Sequence, residues 1–179
     1  MALMASRMLS RADLDALPDD GLRHELIDGS FVMTPAPGMA HQDFAFALAR
    51  ALHAATEGTD LKVVMAPYDV AIGAHVVEPD IVVAPRVAFT ERDLQMTPLL
   101  VVEVRSPSTA WLDEGRKRSI YQEWGVAHYW LAEPAEPSIT ILELVDGRYE
   151  QAQFARNNEV LTVSKPLTVD MTPGKLVQG

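Results

Sequence analysis

Two acids and two bases in this chain have the types and spacing needed to handle a phosphate ester. Asp80 follows Pro79 at the head of the apolar run 81–84, and Glu103 interrupts the apolar run LLVVEV, with Arg105 two residues on. Side chains alternate faces along a strand, so Leu99, Val101, Glu103 and Arg105 share one face and Leu100, Val102 and Val104 the other. A charge moved into an apolar interior costs several kcal/mol unless it is paired or binds an ion. If the two runs form an antiparallel pair in which Ala84 faces Leu99, then Asp80 faces Glu103, with Cβ atoms about 4.5–5.5 Å apart. Two carboxylates at that distance repel unless one takes a proton or a cation lies between them. A hard divalent cation resolves the conflict, and Mg²⁺ is commonly held by one or two carboxylates with waters and phosphate oxygens. A parallel arrangement would remove this convergence.

The segment 109–124 adds a base. Asp113, Lys117, Tyr121 and Trp124 follow one another at helical spacing and share a face. That helix starts just after Arg105, so its face can lie over the strand end. Asp80, Glu103, Arg105 and Lys117 together supply the parts for phosphodiester hydrolysis. A metal lowers the pKa of a bound water and neutralises phosphate charge. Lys117 orients that water or stabilises the pentavalent transition state. Arg105 clamps a phosphate oxygen but cannot act as base, because guanidinium does not give up its proton in proteins.

The elements that must position these groups follow from periodicity and turn chemistry. A short helix is expected over 13–17, then a hairpin in RHELIDGSFVMTP turning at Asp28-Gly29. The segment 41–56 has Phe44, Leu48 and Leu52 at helical spacing and Gly58 just past its end, which predicts a long helix. LKVVM and YDVAI read as strands broken at Pro67, VVEPDIVVA (76–84) as one strand, and LLVVEVRS as the next. Ser108 or Thr109 can cap the helix running to Trp124, which Gly125 closes. HYWLAEP, a hairpin turning at Asp146-Gly147, and the pair EVLTV and LTVDM complete the chain. Helices interrupt strands in two places, which predicts an α+β or mixed α/β fold rather than a regular βαβ array.

The chain has 179 residues, 48% of them hydrophobic, enough for one compact domain spanning 1–179. It contains no cysteine, which excludes disulfides, thiolate metal sites and a cysteine nucleophile. No run is long enough to cross a bilayer and the first residues do not read as a secretory signal, so a cytoplasmic protein with no membrane association is expected. The formal net charge is −10. An acidic surface does not draw polyanions from a distance, so binding nucleic acid requires a local basic patch, a divalent metal, or both. Arg116-Lys117-Arg118 is the densest positive run.

Pro79-Asp80 followed by Glu103-x-Arg105 resembles the motif of the PD-(D/E)XK nuclease superfamily, with arginine where lysine usually stands. The ordered set HELIDG (24–29), His41, PDIVV (79–83), VVEVRSPSTAWLD (101–113), Lys117, Tyr121, GVAHYWL (125–131) and the closing Asp-Gly hairpin resembles the Uma-two family of restriction-endonuclease-like proteins. The resemblance implies a restriction-endonuclease-like α/β (α+β) core, a mixed central sheet flanked by helices with N- and C-terminal hairpins. It also implies a divalent metal, Mg²⁺ or Mn²⁺, and DNA as substrate. It carries over Asp80 and Glu103 as metal ligands, Glu25 as a further acid, and Lys117 as the motif lysine supplied from the following helix. Two breaks in a duplex need two sites, so a homodimer is expected.

Other readings of the same residues stand beside these. Glu103 and Arg105 could be an ion pair on a partly exposed edge, worth about 0–1 kcal/mol. Asp80 could serve a strand end, Glu25 and Asp28 the hairpin turn, Asp113 the helix dipole, and Lys117 solvent. Tyr121, Trp124, Tyr129 and Trp130 read as core rather than base-stacking platforms, and the histidines, His41 and His53 among them, lack zinc spacing. At the level of function, a nuclease-fold module without catalysis that binds DNA or protein, and a hydrolase of small phosphate esters, are the two rivals.

Overall fold

The computed structural model describes residues 7–18, 20–106 and 113–177, and the side chains of Asp113 and Glu114 lie outside the description. The chain runs α1 (Arg11–Asp15), β1 (Arg23–Ile27), β2 (Ser30–Thr34), α2 (Met39–Ala55), β3 (Leu61–Met65), β4 (Asp69–Ile72), β5 (His75–Val77) and β6 (Ile81–Pro85). A 3₁₀ turn, Arg86–Ala88, leads to β7 (Asp93–Leu94) and β8 (Leu100–Val104). A π-helical turn, Asp113–Lys117, continues into α3 (Arg118–Glu123). Then come β9 (His128–Glu133), β10 (Ser138–Val145), β11 (Arg148–Arg156), β12 (Leu161–Val163), β13 (Val169–Met171) and α4 (Pro173–Leu176). This is the mixed α+β architecture expected.

A six-stranded sheet, in the order β11-β10-β9-β8-β6-β3, is the centre of the fold. Its β8 lies parallel to β9 and antiparallel to β6. Every residue of β8 is buried, which explains a nearly continuous apolar run, since a central strand covered on both faces has no side to leave polar. One face, with Leu100, Val102, Ile81, Val83 and Trp130, packs on Phe44, Leu48 and Leu52 of α2, on the β12-β13 ribbon and on α4. The other face, with Val82, Ala84, Val101 and Tyr129, packs on α3 and on a second sheet ordered β2-β1-β5-β4-β7. Asp28 and Gly29 close the β1-β2 hairpin with φ of 52° and 67°, the left-handed pair that a two-residue hairpin turn requires. Asp146 and Gly147 do the same for β10-β11.

One expected strand, 76–84, is two strands in different sheets. β5 pairs with β1 and β4 in the second sheet, and β6 pairs with β3 and β8 in the first. Pro79 has no N–H for a ladder, and the chain crosses between sheets there. Glu78, just before it, gives its N–H to the Glu25 side chain at 2.7 Å instead of to a strand. The helix expected over 109–124 begins outside the described residues, where Pro107, Ser108 and Thr109 lie; its described part opens as the π turn rather than as an α-helix. Gly125 closes it at φ 73°. The two-residue β7 and the four-residue α4 are too short to have announced themselves by periodicity.

Candidate functional site

The register between β6 and β8 is the one that brings the acids together. Ile81 faces Val102, Val82 faces Val101 and Val83 faces Leu100. One step further along lie Asp80 and Glu103, where the ladder stops and a side chain takes over. The Oδ2 of Asp80 accepts the Val104 backbone N–H at 2.7 Å. The corner at 78–80 that moves the chain between sheets thus also fixes the direction of Asp80.

Glu103 projects from β8 toward α3 and is 1% exposed. Its Oε1 accepts a hydrogen bond from the Tyr121 hydroxyl at 2.5 Å and another from Lys117 Nζ at 3.1 Å. The same Nζ lies 2.9 Å from Oε1 of Glu25, which β1 presents from the second sheet. Lys117 is 2% exposed, so its ammonium is a buried bridge between two buried carboxylates from different sheets. Lys117, the last residue of the π turn, and Tyr121 stand four apart, so they share a face and meet on the same oxygen; π turns gather at functional sites. Burial raises the Tyr121 hydroxyl well above its ordinary pKa, and the Glu103 charge adds to the rise, so the phenol stays a proton donor.

On the other side of the corner, Arg23 Nη1 and Nη2 stand 3.2 and 3.3 Å from Asp80 Oδ1, and Arg23 Nε lies 2.6 Å from Glu78 Oε1. His41, from the first turns of α2, places Nε2 3.2 Å from Asp80 Oδ2. Burial works against ionisation of Asp80, but the His41 contact and the charges of Arg23, His41 and Lys117 outweigh it and hold the carboxyl below its ordinary pKa. Burial pushes Glu78 the other way, above its ordinary pKa, with Arg23 only partly restoring it. A cleft of about 300 Å³ opens onto this side, with Arg23, His41, Gln42, Glu78 and Asp80 among its lining.

Asp80, Glu103, Glu25 and Lys117 therefore come together by contacts that run through Lys117 and the 78–80 corner. Arg105 stands just past the end of β8, half-buried, its backbone N–H on Ala132 O at 2.8 Å. The run Arg116-Lys117-Arg118 does not form a solvated basic patch. Arg116 forks onto Asp28 at 2.6 Å and reaches Glu123, Lys117 is buried, and Arg118 donates to Tyr149 O at 3.0 Å. Tyr129 and Trp130 are fully buried core residues, while Tyr121 combines core packing with its bond to Glu103. Arg23 and Glu78 were not anticipated, because their partners lie 53 to 57 residues away in the chain and leave no local spacing. His41 stood in the family pattern but had no assigned role.

The chain can be tested as a metal site by its donors. Among the described residues joined by these contacts, four carboxylates (Glu25, Glu78, Asp80, Glu103) meet Arg23, Lys117 and the imidazole of His41. The donors are hard carboxylate oxygens, the kind that Mg²⁺ or Ca²⁺ takes. Among the described residues no three His, Asp or Glu side chains are already gathered around one point.

Residues 11–173 match the model of the Uma2 family, described as "Putative restriction endonuclease". The chain belongs to that family. It is similar in structure to a protein from Anabaena variabilis ATCC 29413, solved by crystallography as a "putative nuclease belonging to DUF820". That likeness has a TM-score of 0.75 at 15% identity and covers 95% of this chain and 98% of the other. It defines the nuclease-like fold. No curated protein matches the chain. Among the described residues no helix is long and apolar enough to cross a membrane.

Proposed function

We propose that this protein is a DNA endonuclease that hydrolyses phosphodiester bonds with a divalent metal, Mg²⁺ or Mn²⁺. The observation that carries the reading is a buried acid cluster: β6 and β8 run in the register that sets Asp80 beside Glu103, Lys117 bridges Glu103 to Glu25, and Asp80 with Glu78 lines a cleft of about 300 Å³. Asp80 and Glu103, with Glu25 as the third acid, would hold the cation. When bound, such a cation supplies acidification of a coordinated water and neutralisation of charge on the phosphate.

The rest is the work of this chain's own side chains. The Val104 N–H and His41 aim one oxygen of Asp80, and Arg23 keeps the other engaged. Tyr121 fixes the rotamer of Glu103. Lys117, already oriented by two carboxylates, orients the attacking water or takes up charge that develops on the phosphorus oxygens, without reorganisation during the step. Arg105, beside the end of β8, is assigned to a phosphate oxygen.

The test is calorimetric titration of Mn²⁺ into the wild-type chain, Asp80→Asn and Glu103→Gln, alongside plasmid cleavage. One site per chain should vanish in both variants together with cleavage, and a variant that nicks plasmid at the wild-type rate would overturn the assignment. A second reading has its own support: each acid already has a donor within the protein, so the fold could persist as a binding module without catalysis. On that reading the titration shows no uptake that depends on Asp80 and Glu103. Small phosphodiesters competing with plasmid would mark the third alternative, a small-ester hydrolase.

A further inference from the structure

Strand β3 is one edge of the six-stranded sheet, and its backbone accounting leaves a specific gap. Arg86 N–H donates to Asp60 O and Ala66 N–H to Asp80 O, at 2.7 and 3.1 Å. Bonding alternates along an antiparallel pair, so the even-numbered residues of β3 bond to β6 and the odd-numbered ones face away from it. Leu61 is provided for, since its N–H goes to Thr59 Oγ1 and its carbonyl accepts from Arg86. Val63 and Met65 therefore present their N–H and C=O groups on the open edge.

The side chains along that edge do not protect it. Open edges are usually guarded by charge, a bulge or proline. The opposite edge, β11, follows this rule with Arg148, Glu150 and Arg156 and a bulge against β10. In β3 the one charged side chain, Lys62, is turned onto the Phe89 ring, 5.2 Å from its centre on the far face. Val63 and Met65 instead line a groove of about 430 Å³ shared with Phe46, Arg50 and His53 of α2. Met39 and Phe46, seven residues apart on the same helix, are 77% and 58% exposed.

We propose that this face is the interface of a homodimer in which β3 pairs antiparallel with β3 of a second copy, Val63 opposite Met65 of the partner copy, about a two-fold axis through Val64. This register engages both open backbone positions of each chain and makes four main-chain hydrogen bonds. It also brings the two α2 helices alongside in opposite directions. Met65 lines the groove together with Phe46 and the cleft together with Gln42, so Val64 sits level with the middle of α2. An axis there sets Asp43 of one copy among Arg50 and His53 of the other, and Phe46 beside the opposing Arg50. Arg50 already lies 5.8 Å from the Phe46 ring within one chain. Acid meets base in both directions, which is the self-complementarity a two-fold contact requires. Each cleft begins where β3 ends, so the pairing sets the two Asp80 residues on the order of 20 Å apart, from the residue rise and strand spacing of a continuous sheet. That is less than one turn of DNA, about 34–36 Å.

The interface does not depend on catalysis, and its test reads assembly alone. Facing residues that do not exchange hydrogen bonds lie about 4.5 Å apart at Cα, so Val64→Cys should self-link across the axis under mild oxidation. The chain has no other cysteine. Lys62→Cys, on the same face two residues away, is out of reach of its own copy in this register and should stay monomeric on a non-reducing gel. Sedimentation of the wild-type chain should give a concentration-dependent dimer. Arg50→Glu should raise the dimer dissociation constant at least tenfold, and Asp43→Arg with Arg50→Glu should recover it. A monomer at all concentrations, or equal cross-linking of both cysteine variants, overturns the proposal; loss of cleavage in a chain that still dimerises would count against the nuclease reading only.

Discussion

Lys117 bears more of this structure than its place on a helix suggests. Its ammonium compensates Glu25 and Glu103, two carboxylates with almost no access to water. Truncating one partner of a buried ion pair destabilises by about 3–5 kcal/mol, because the charges left behind are neither hydrated nor paired. Lys117→Met should therefore lower the unfolding free energy measured in urea by about that amount. Adding Glu25→Gln should return part of it by removing one stranded charge, and if the double variant is no more stable than the single, the bridge is not what holds these acids. By the same logic Asp80→Ala and Glu103→Ala should lower stability, although two facing carboxylates taken alone would repel. Each acid has its own buried base, so isosteric amides are the better probes of chemistry.

At the scale of elements, the site is held by joints between sheets. Asp28, in the β1-β2 turn, takes a forked pair of bonds from Arg116, the residue before Lys117. The clamp ties the first hairpin to the π turn, and it holds Asp28 below its ordinary carboxylate pKa, chiefly through the Arg116 bonds. Arg116→Ala should cost only about 0.2–1 kcal/mol of global stability, as an exposed pair does. Its larger effect should be local: amides from Lys117 to Tyr121 should exchange hydrogen faster while those of β8 do not change. Uniform acceleration, or none, would show that the turn is held by something else. The strand register between β6 and β8 entered the sequence reading only as a condition, because both strands are buried on both faces and their apolar residues do not distinguish one register from the next. The hairpins were legible from their Asp-Gly turns, and α2 from its apolar spacing. The division of 76–84 between two sheets was not, since proline says that a ladder breaks but not where the next strand pairs. Arg23 and Glu78 were missed for a related reason: the partners they meet, Asp80 and Glu25, are more than fifty residues away, and no local pattern encodes where the chain turns at 78–80.

For the molecule as a whole, charge opposes the proposed substrate. A net charge of −10 repels a DNA duplex, and the arginines nearest Lys117 are committed to Asp28, Glu123 and Tyr149 O. On the proposed reading, association draws on the acid cluster itself, with a divalent cation converting a repulsive mouth into one that a phosphate can approach. Fluorescence anisotropy with a labelled duplex should show no measurable binding in EDTA and clear binding in Ca²⁺, which occupies oxygen sites without the demand for octahedral geometry. Asp80→Asn should lose the Ca²⁺-dependent part. Few phosphates can be neutralised by fixed side chains here, so log K against log of salt concentration at constant Ca²⁺ should be shallow, with a slope of roughly −1 to −3 on the scale of about −0.9 per phosphate contacted. Tight binding in EDTA with a steep slope would mean that a basic surface recognises DNA independently of these acids, and the charge argument for a metal at this site would fail with it.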